Sequence, residues 1–177
     1  MKKYEFTGET KEIKLLFRTA VLHRIRATVS FGFVKIGDLG GWIEKEENLS
    51  HEGKAWVCGD AKVCGDAKVW GNAKVWGNAK VCGDAKVWGN AEVFSASHVL
   101  VIGAIGSRND FTTFYRDKDN EITVKCGCFL GKIDRFLEKV TQTHGDSKYA
   151  LVYRAAVEVA KLQIDLSGEA PKDADEE

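Results

Sequence analysis

The chain has 177 residues, 44% hydrophobic and 29% charged, with 26 Lys and Arg balancing 26 Asp and Glu. That length makes one ordinary domain or two small ones, and the neutral balance leaves no global field to recruit nucleic acid or an anionic membrane. No apolar run reaches the roughly 20 residues needed to span a bilayer, and Met1-Lys2-Lys3 leads into polar sequence rather than a secretory leader.

Five cysteines form an odd set (Cys58, Cys64, Cys82, Cys126, Cys128). This fits a reduced, cytoplasmic protein better than a disulfide-stapled secreted one. The single proline, Pro171, lies near the end and leaves the rest free for uninterrupted regular structure.

Four segments follow in order. Residues 1–52 read as an N-terminal capping segment: strand-like LLFRTAVLHRIRATVSF, then glycine-rich VKIGDLGGWIEKEENLS. Residues 53–100 are hexads, seven regular ones from GKAWVC to GNAEVF and a fading eighth, SASHVL, that has lost its glycine. Residues 101–164 read as an α+β module, and 165–177, acidic and poor in apolar side chains, as a disordered tail.

Within each hexad Ala and Val stand two residues apart, so strand geometry puts both on one face. The Lys between them and the Trp or Cys after Val point the other way. Gly followed by Asn or Asp supplies a corner, because these residues tolerate positive φ. A corner every six residues does not follow the 3.6-residue period of a helix. Short strands and corners at a fixed period of six signal a parallel β-helix.

The hexads of GDAKVCGDAKVWGNAKVWGNAKVCGDAKVW, Gly59 to Trp88, resemble the hexapeptide-repeat family. One departure is a glycine two places after Val, where that family often has it one place after. The resemblance implies a left-handed helix of triangular section with three hexads per coil. The fold class expected for the whole chain is therefore mainly β with a C-terminal α+β part: a short left-handed parallel β-helix, an N-terminal capping segment, and a C-terminal β-hairpin plus two helices.

Three hexads per coil would stack residues eighteen apart. Trp70 would lie beneath Trp88, Cys58 with Trp76 and Phe94, and Cys64 with Cys82 and Leu100; Lys74 would meet Glu92. Exposed apolar columns mark an interface, so Trp70, Trp76, Trp88 and Phe94 are candidate interface residues. The cover is either the C-terminal helices of the same chain or another molecule. Hexapeptide-repeat proteins commonly form trimers, and a homo-oligomer, dimer or trimer, is expected. Stacked Cys64 and Cys82 are expected to act as small hydrophobes, without metal.

The same resemblance brings in acyltransferases and zinc carbonic anhydrases. Both chemistries need histidine, as a general base or as ligands. The four histidines are His23, His51, His98 and His144, and none falls within residues 53–94. His98 alone is a candidate base for acyl transfer. No enzyme activity, cofactor or metal is expected, with acyl transfer kept as an alternative.

In the C-terminal part, two strands joined by DKDNE make a hairpin. Ile133, Phe136, Leu137 and Val140 are spaced for a helix ending near His144-Gly145. Val152, Ala155, Val159 and Leu162 read as the packed stripe of a second helix that begins after Asp146 or Ser147. These helices are expected on the hairpin or along the side of the repeats. Cys126-Gly127-Cys128 would put both thiols on one strand face, a weak zinc signal without a second pair.

The most site-like cluster is Ser107, Arg108 and Asn109 together with Gly127, Gly131 and Lys132. Glycine-rich backbone at a helix start, with Arg108 near, suits a phosphate. The competing reading has the glycines turning corners and Arg108 paired with Asp110 or Asp134.

Gly37 to Glu44, Asn48 to Ser50, Gly106 to Asp110 and Gly127 to Gly131 together resemble proteins of bacteriophages and prophages, with a GSRND…GCFxG tail module. The resemblance spans most of the chain and implies a small protein acting in the bacterial host cytoplasm. Small, non-catalytic proteins encoded by phages often act on the host, including by sequestering immune signalling nucleotides or by blocking a defence protein. The expected function is thus non-catalytic binding of a small anionic ligand or a host protein. A structural or oligomerisation module is the alternative.

Overall fold

The computed structural model describes residues 1–168. It opens with a long antiparallel hairpin, β1 (Tyr4–Lys14) against β2 (Thr19–Ala27); β2 lies inside the stretch read as strand-like, and β1 precedes it. β2 pairs in turn with β3 (Leu39–Ile43). Seven two-residue strands follow: β4 (Trp56–Val57), β5 (Lys62–Val63), β6 (Lys68–Val69), β7 (Lys74–Val75), β8 (Lys80–Val81), β9 (Lys86–Val87) and β10 (Glu92–Val93).

They pair in parallel at a spacing of eighteen residues: Val63 with Val81, Val57 with Val75 and then Val93, Val69 with Val87. Every Ala and Val from Ala55 to Val93 is fully buried in one shared core. The glycine two places after each valine sits at positive φ, between 58° and 70° from Gly59 to Gly89. It ends the strand after two residues.

The expected fold class, a left-handed parallel β-helix, is corrected by this arrangement. The strands fall into several small open sheets. One is mixed, ordered β1-β2-β3-β5-β8; two are parallel, β10-β7-β4 and β6-β9; the fourth is antiparallel. The two-residue hexad strands are shared among three of these, and most paired residues belong to antiparallel hairpins. The partners make the difference: β3 carries β5 and β8 into one mixed sheet with the N-terminal hairpin, while the other hexad strands form two separate parallel sheets.

The fourth sheet holds β11 (Val99–Ile105), β12 (Asp110–Arg116), β13 (Ile122–Cys126) and β14 (Phe129–Lys132), in that order. The expected hairpin around DKDNE is β12–β13, and the sequence reading missed its outer neighbours. Two helices cover this sheet, α1 (Ile133–His144) and α2 (Lys148–Gln163). Gly145, at φ 55°, ends α1 where the sequence predicts. Ser147 is the N-cap residue of α2, but its side chain makes no capping bond.

The face that α2 buries is Ala150, Tyr153, Ala156, Val157 and Ala160. The predicted stripe Val152, Ala155, Val159 and Leu162 faces outward instead. Small alanines let the helix approach the sheet closely, and that contact outweighed the larger side chains.

Side chains close both ends of the hexads by bonding their backbone groups. At one end Asn48, fully buried, donates through Nδ2 to the carbonyls of Gly65 (3.1 Å) and Ala67 (2.8 Å), satisfying groups that no further strand reaches. At the other end β12 lies against the last hexads. Thr113 Oγ1 accepts from Lys86 N at 2.9 Å, and Tyr115 donates its hydroxyl to Trp88 O at 2.9 Å. Tyr115 belongs to the core of the hexads and its neighbour Phe114 to the core under the helices. One strand is thus a wall of both cores.

Candidate functional site

A cleft of about 400 Å³ opens in the C-terminal module, in the range of small-ligand sites. Three elements frame it. The first is the β11–β12 turn, Gly106 to Asn109, where Gly106 has φ 74° and Asn109 φ 50°. A Cβ at Gly106 would fall 1.9 Å from the Tyr153 hydroxyl oxygen, so only glycine lets the turn sit against α2. The second is the Gly127–Cys128 tip of the β13–β14 hairpin. The third is the C-terminal half of α1, with Tyr153 of α2 behind it.

The floor is aromatic. Phe136 lies 5.5 Å from Tyr153 at 86° and 5.2 Å from Phe129, and His144 stacks on Tyr153 at 5.9 Å. The rim carries Ser107, Arg108, Asp110 and Lys139. Arg108 is exposed, and its Nη1 lies 3.2 Å from the place a Gly127 Cβ would take. Among the described residues it forms no ion pair and no hydrogen bond, so the expected pairing with Asp110 or Asp134 does not occur. Burial pushes the Tyr153 hydroxyl up to about 12, and Cys126 and Asp110 add to this while Arg108 opposes it. Tyr153 is therefore a neutral phenol at physiological pH.

Of the predicted ligand residues, Ser107, Arg108 and Gly127 meet in this cleft. Asn109 shapes the turn without lining the cleft. Gly131 and Lys132 lie elsewhere, in a shallow recess beside Trp88 and Asn90. Lys132 is the N-cap residue of α1, but the cleft is lined by the far end of that helix, so the helix start does not serve it. The sequence reading missed Phe129, Phe136, Lys139, His144 and Tyr153. Phe136 had been visible only as an apolar helix position.

Lys132 is occupied. Its ammonium lies 2.5 Å from Asp117, 3.7 Å from Asp119 and 2.5 Å from Glu121. These three carboxylates gather closely enough for a cation, and the ammonium takes that place. Burial would raise the Asp117 carboxyl, but bonds from Lys132, Thr123 and two backbone amides outweigh it and hold it below its usual range.

Cys126 and Cys128 do not share a strand face. Cys126 ends β13, half-buried, and accepts from Thr112 Oγ1 at 3.3 Å, while Cys128 is exposed in the turn. Cys64 and Cys82 are joined in a disulfide, which corrects the expectation of two free apolar thiols. His98 is buried at 2% exposure, with Nδ1 accepting from Phe94 N at 3.3 Å. Burial first, and Arg116 second, lower its pKa.

The candidate interface residues differ in access. Trp76 is buried at 7%, and Phe94, half-buried, packs on His98 and under the Arg116 guanidinium at 4.4 Å. Trp70 meets Trp88 edge-on at 5.1 Å, and Trp88 stays 37% exposed beneath Lys125. The C-terminal sheet, rather than the helices, closes on this side of the hexads. No helix among the described residues is long and apolar enough to cross a membrane. No family model and no curated protein matches the chain.

Proposed function

We propose that the chain is a non-catalytic binding protein that holds a small anionic, nucleotide-like ligand in the cleft between the Gly106–Asn109 turn, the Gly127–Cys128 tip and α1. The observation that carries this reading is Arg108: an exposed guanidinium without a partner among the described residues, at the rim of an aromatic-floored cleft. A guanidinium binds phosphate bidentately. Phe129, Phe136 and Tyr153 offer ring edges and faces to a flat apolar body. Asp110 spends one oxygen on its neighbour's backbone amide, leaving the other to accept from a ligand amino or hydroxyl group.

On the resemblance to phage and prophage proteins, the role is sequestration of a host signalling nucleotide in the bacterial cytoplasm. Blocking a host protein is the reading that takes its place if nucleotides do not bind. Acyl transfer is less well supported, because His98 is buried and engaged with backbone, where a base must reach substrate.

Isothermal calorimetry with adenosine and guanosine monophosphates and cyclic dinucleotides tests the proposal. At least one should bind, and Arg108→Ala should weaken it tenfold or more. Binding unchanged in Arg108→Ala, or no binding by any of the probes, overturns it.

A further inference from the structure

We propose that Asp110 makes the cleft selective for guanine, so that the ligand is a guanine nucleotide. The selectivity rests on the reading of the cleft as a nucleotide site and says which base that site takes.

Asp110 opens β12 and pairs with Ile105 across the turn, so the turn that presents Arg108 also fixes its backbone. It is half-buried and, among the described residues, is the only carboxylate lining the cleft. It makes no ion pair there, although Arg108 and Lys139 stand on the same rim. Its Oδ1 accepts from Phe111 N at 2.7 Å, and its Oδ2 has no partner among the described residues. The charge opposes ionisation of the Tyr153 hydroxyl, which sets the carboxylate beside the aromatic floor rather than out in solvent.

Such a group works against a phosphate. It repels an anion placed next to it, and a partly buried charge without a partner is costly. A phosphate held at Arg108 therefore leaves Asp110 for the other end of the ligand. A carboxylate only accepts, so that end must turn N–H groups toward it. Among the bases, guanine carries two adjacent donors on one edge, N1–H and the 2-amino group, which two oxygens accept side by side. Each oxygen has more than one lone pair, so the bond from Phe111 N leaves Oδ1 able to take part. Adenine and cytosine set a ring-nitrogen lone pair next to their amino group, and that lone pair would face the carboxylate. Uracil has a single N–H between two carbonyls. The wrong bases thus meet repulsion as well as a missing bond, and a bidentate contact of this kind discriminates by about ten- to a hundredfold.

Calorimetry on the full chain with guanosine, inosine and adenosine monophosphates is the test, with melting curves to confirm that each variant is folded. The cyclic di-guanosine and di-adenosine nucleotides are compared in the same way. The guanosine form should bind more tightly than the adenosine form by about tenfold or more. Inosine monophosphate keeps N1–H and lacks the 2-amino group, and should fall between them. Asp110→Asn keeps an oxygen for Phe111 N but turns one acceptor into a donor; it should lose the preference for guanine and bind adenine at least as well. Equal affinity for guanine and adenine, or a preference that survives Asp110→Asn, overturns the selectivity and leaves the cleft a nucleotide site. No binding by any of these probes, or binding unchanged in Arg108→Ala, overturns the reading of the cleft and the selectivity with it.

Discussion

Cutting the bond between Cys64 and Cys82 should cost the protein about 3 kcal/mol. The bridge closes a loop with a sequence separation of 18, and the chain-entropy relation gives about that figure for a loop of this size at 25 °C. The folded side changes little, because Cys64 N still donates to Val81 O at 2.9 Å and Val63 still pairs with Val81. The loss therefore falls on the unfolded state, which regains freedom on reduction. For a chain of this length each kcal/mol moves the melting temperature by about 2–4 °C, so reductant should lower it by roughly 6–12 °C. The assay is calorimetric melting with and without a phosphine reductant, beside thiol titration in denaturant. Three thiols, those of Cys58, Cys126 and Cys128, should react before reduction and five after it. A Cys64→Ala, Cys82→Ala double variant should melt near the reduced wild type and ignore the reductant. A thiol count that rises from three to five without a shift in melting would refute the entropic reasoning. Five thiols at the outset would refute the bridge itself.

Two further outcomes test the framework of the cleft and of the N-terminal segment. Gly106→Ala combines a left-handed backbone with a Cβ 1.9 Å from the Tyr153 hydroxyl, and should destabilise by about 2 kcal/mol or more while abolishing ligand binding; wild-type melting would refute the close approach. Glu44 is held at about 2, first by its hydrogen bond from Arg18 and also by the Gly65 amide. A lowered carboxyl stabilises the fold above its ordinary value of 4.5 and loses that contribution as pH falls toward 2. Glu44→Gln should melt below wild type at neutral pH and converge with it across that window; parallel curves would refute the linkage.

The periodic Ala and Val of the hexads marked the buried face, and the hexapeptide-repeat resemblance implied the register. The eighteen-residue spacing brought Trp70 to Trp88, Trp76 to Phe94 and Lys74 to Glu92. It did not reveal the fold class, since periodicity says where the chain turns and not how the resulting strands group into sheets. β2 lay in the stretch read as strand-like, whereas its partner β1 escaped notice because it is largely exposed and YEFTGETKEIK offers no apolar alternation to read. α1 was found because a single stripe faces its core. α2 was placed in the right residues but turned the wrong way, because alanines pack as well as valines do and carry a weaker signal. Likewise, the glycines and Arg108 of the cleft stood out, while its aromatic floor came from residues that looked like ordinary core.

The placement of Phe114 and Tyr115 on opposite sides of β12 has a further consequence. Side chains alternate along a strand, so shifting β12 by one residue would send Phe114 toward the hexads and Tyr115 toward the helices. Both interiors would be spoiled by one insertion. The boundary between repeats and C-terminal module is therefore unlike a linker, which absorbs changes of length without penalty. It behaves as a keyed joint. Hexads can be exchanged or the cleft reshaped on either side, but the two parts cannot be moved past one another.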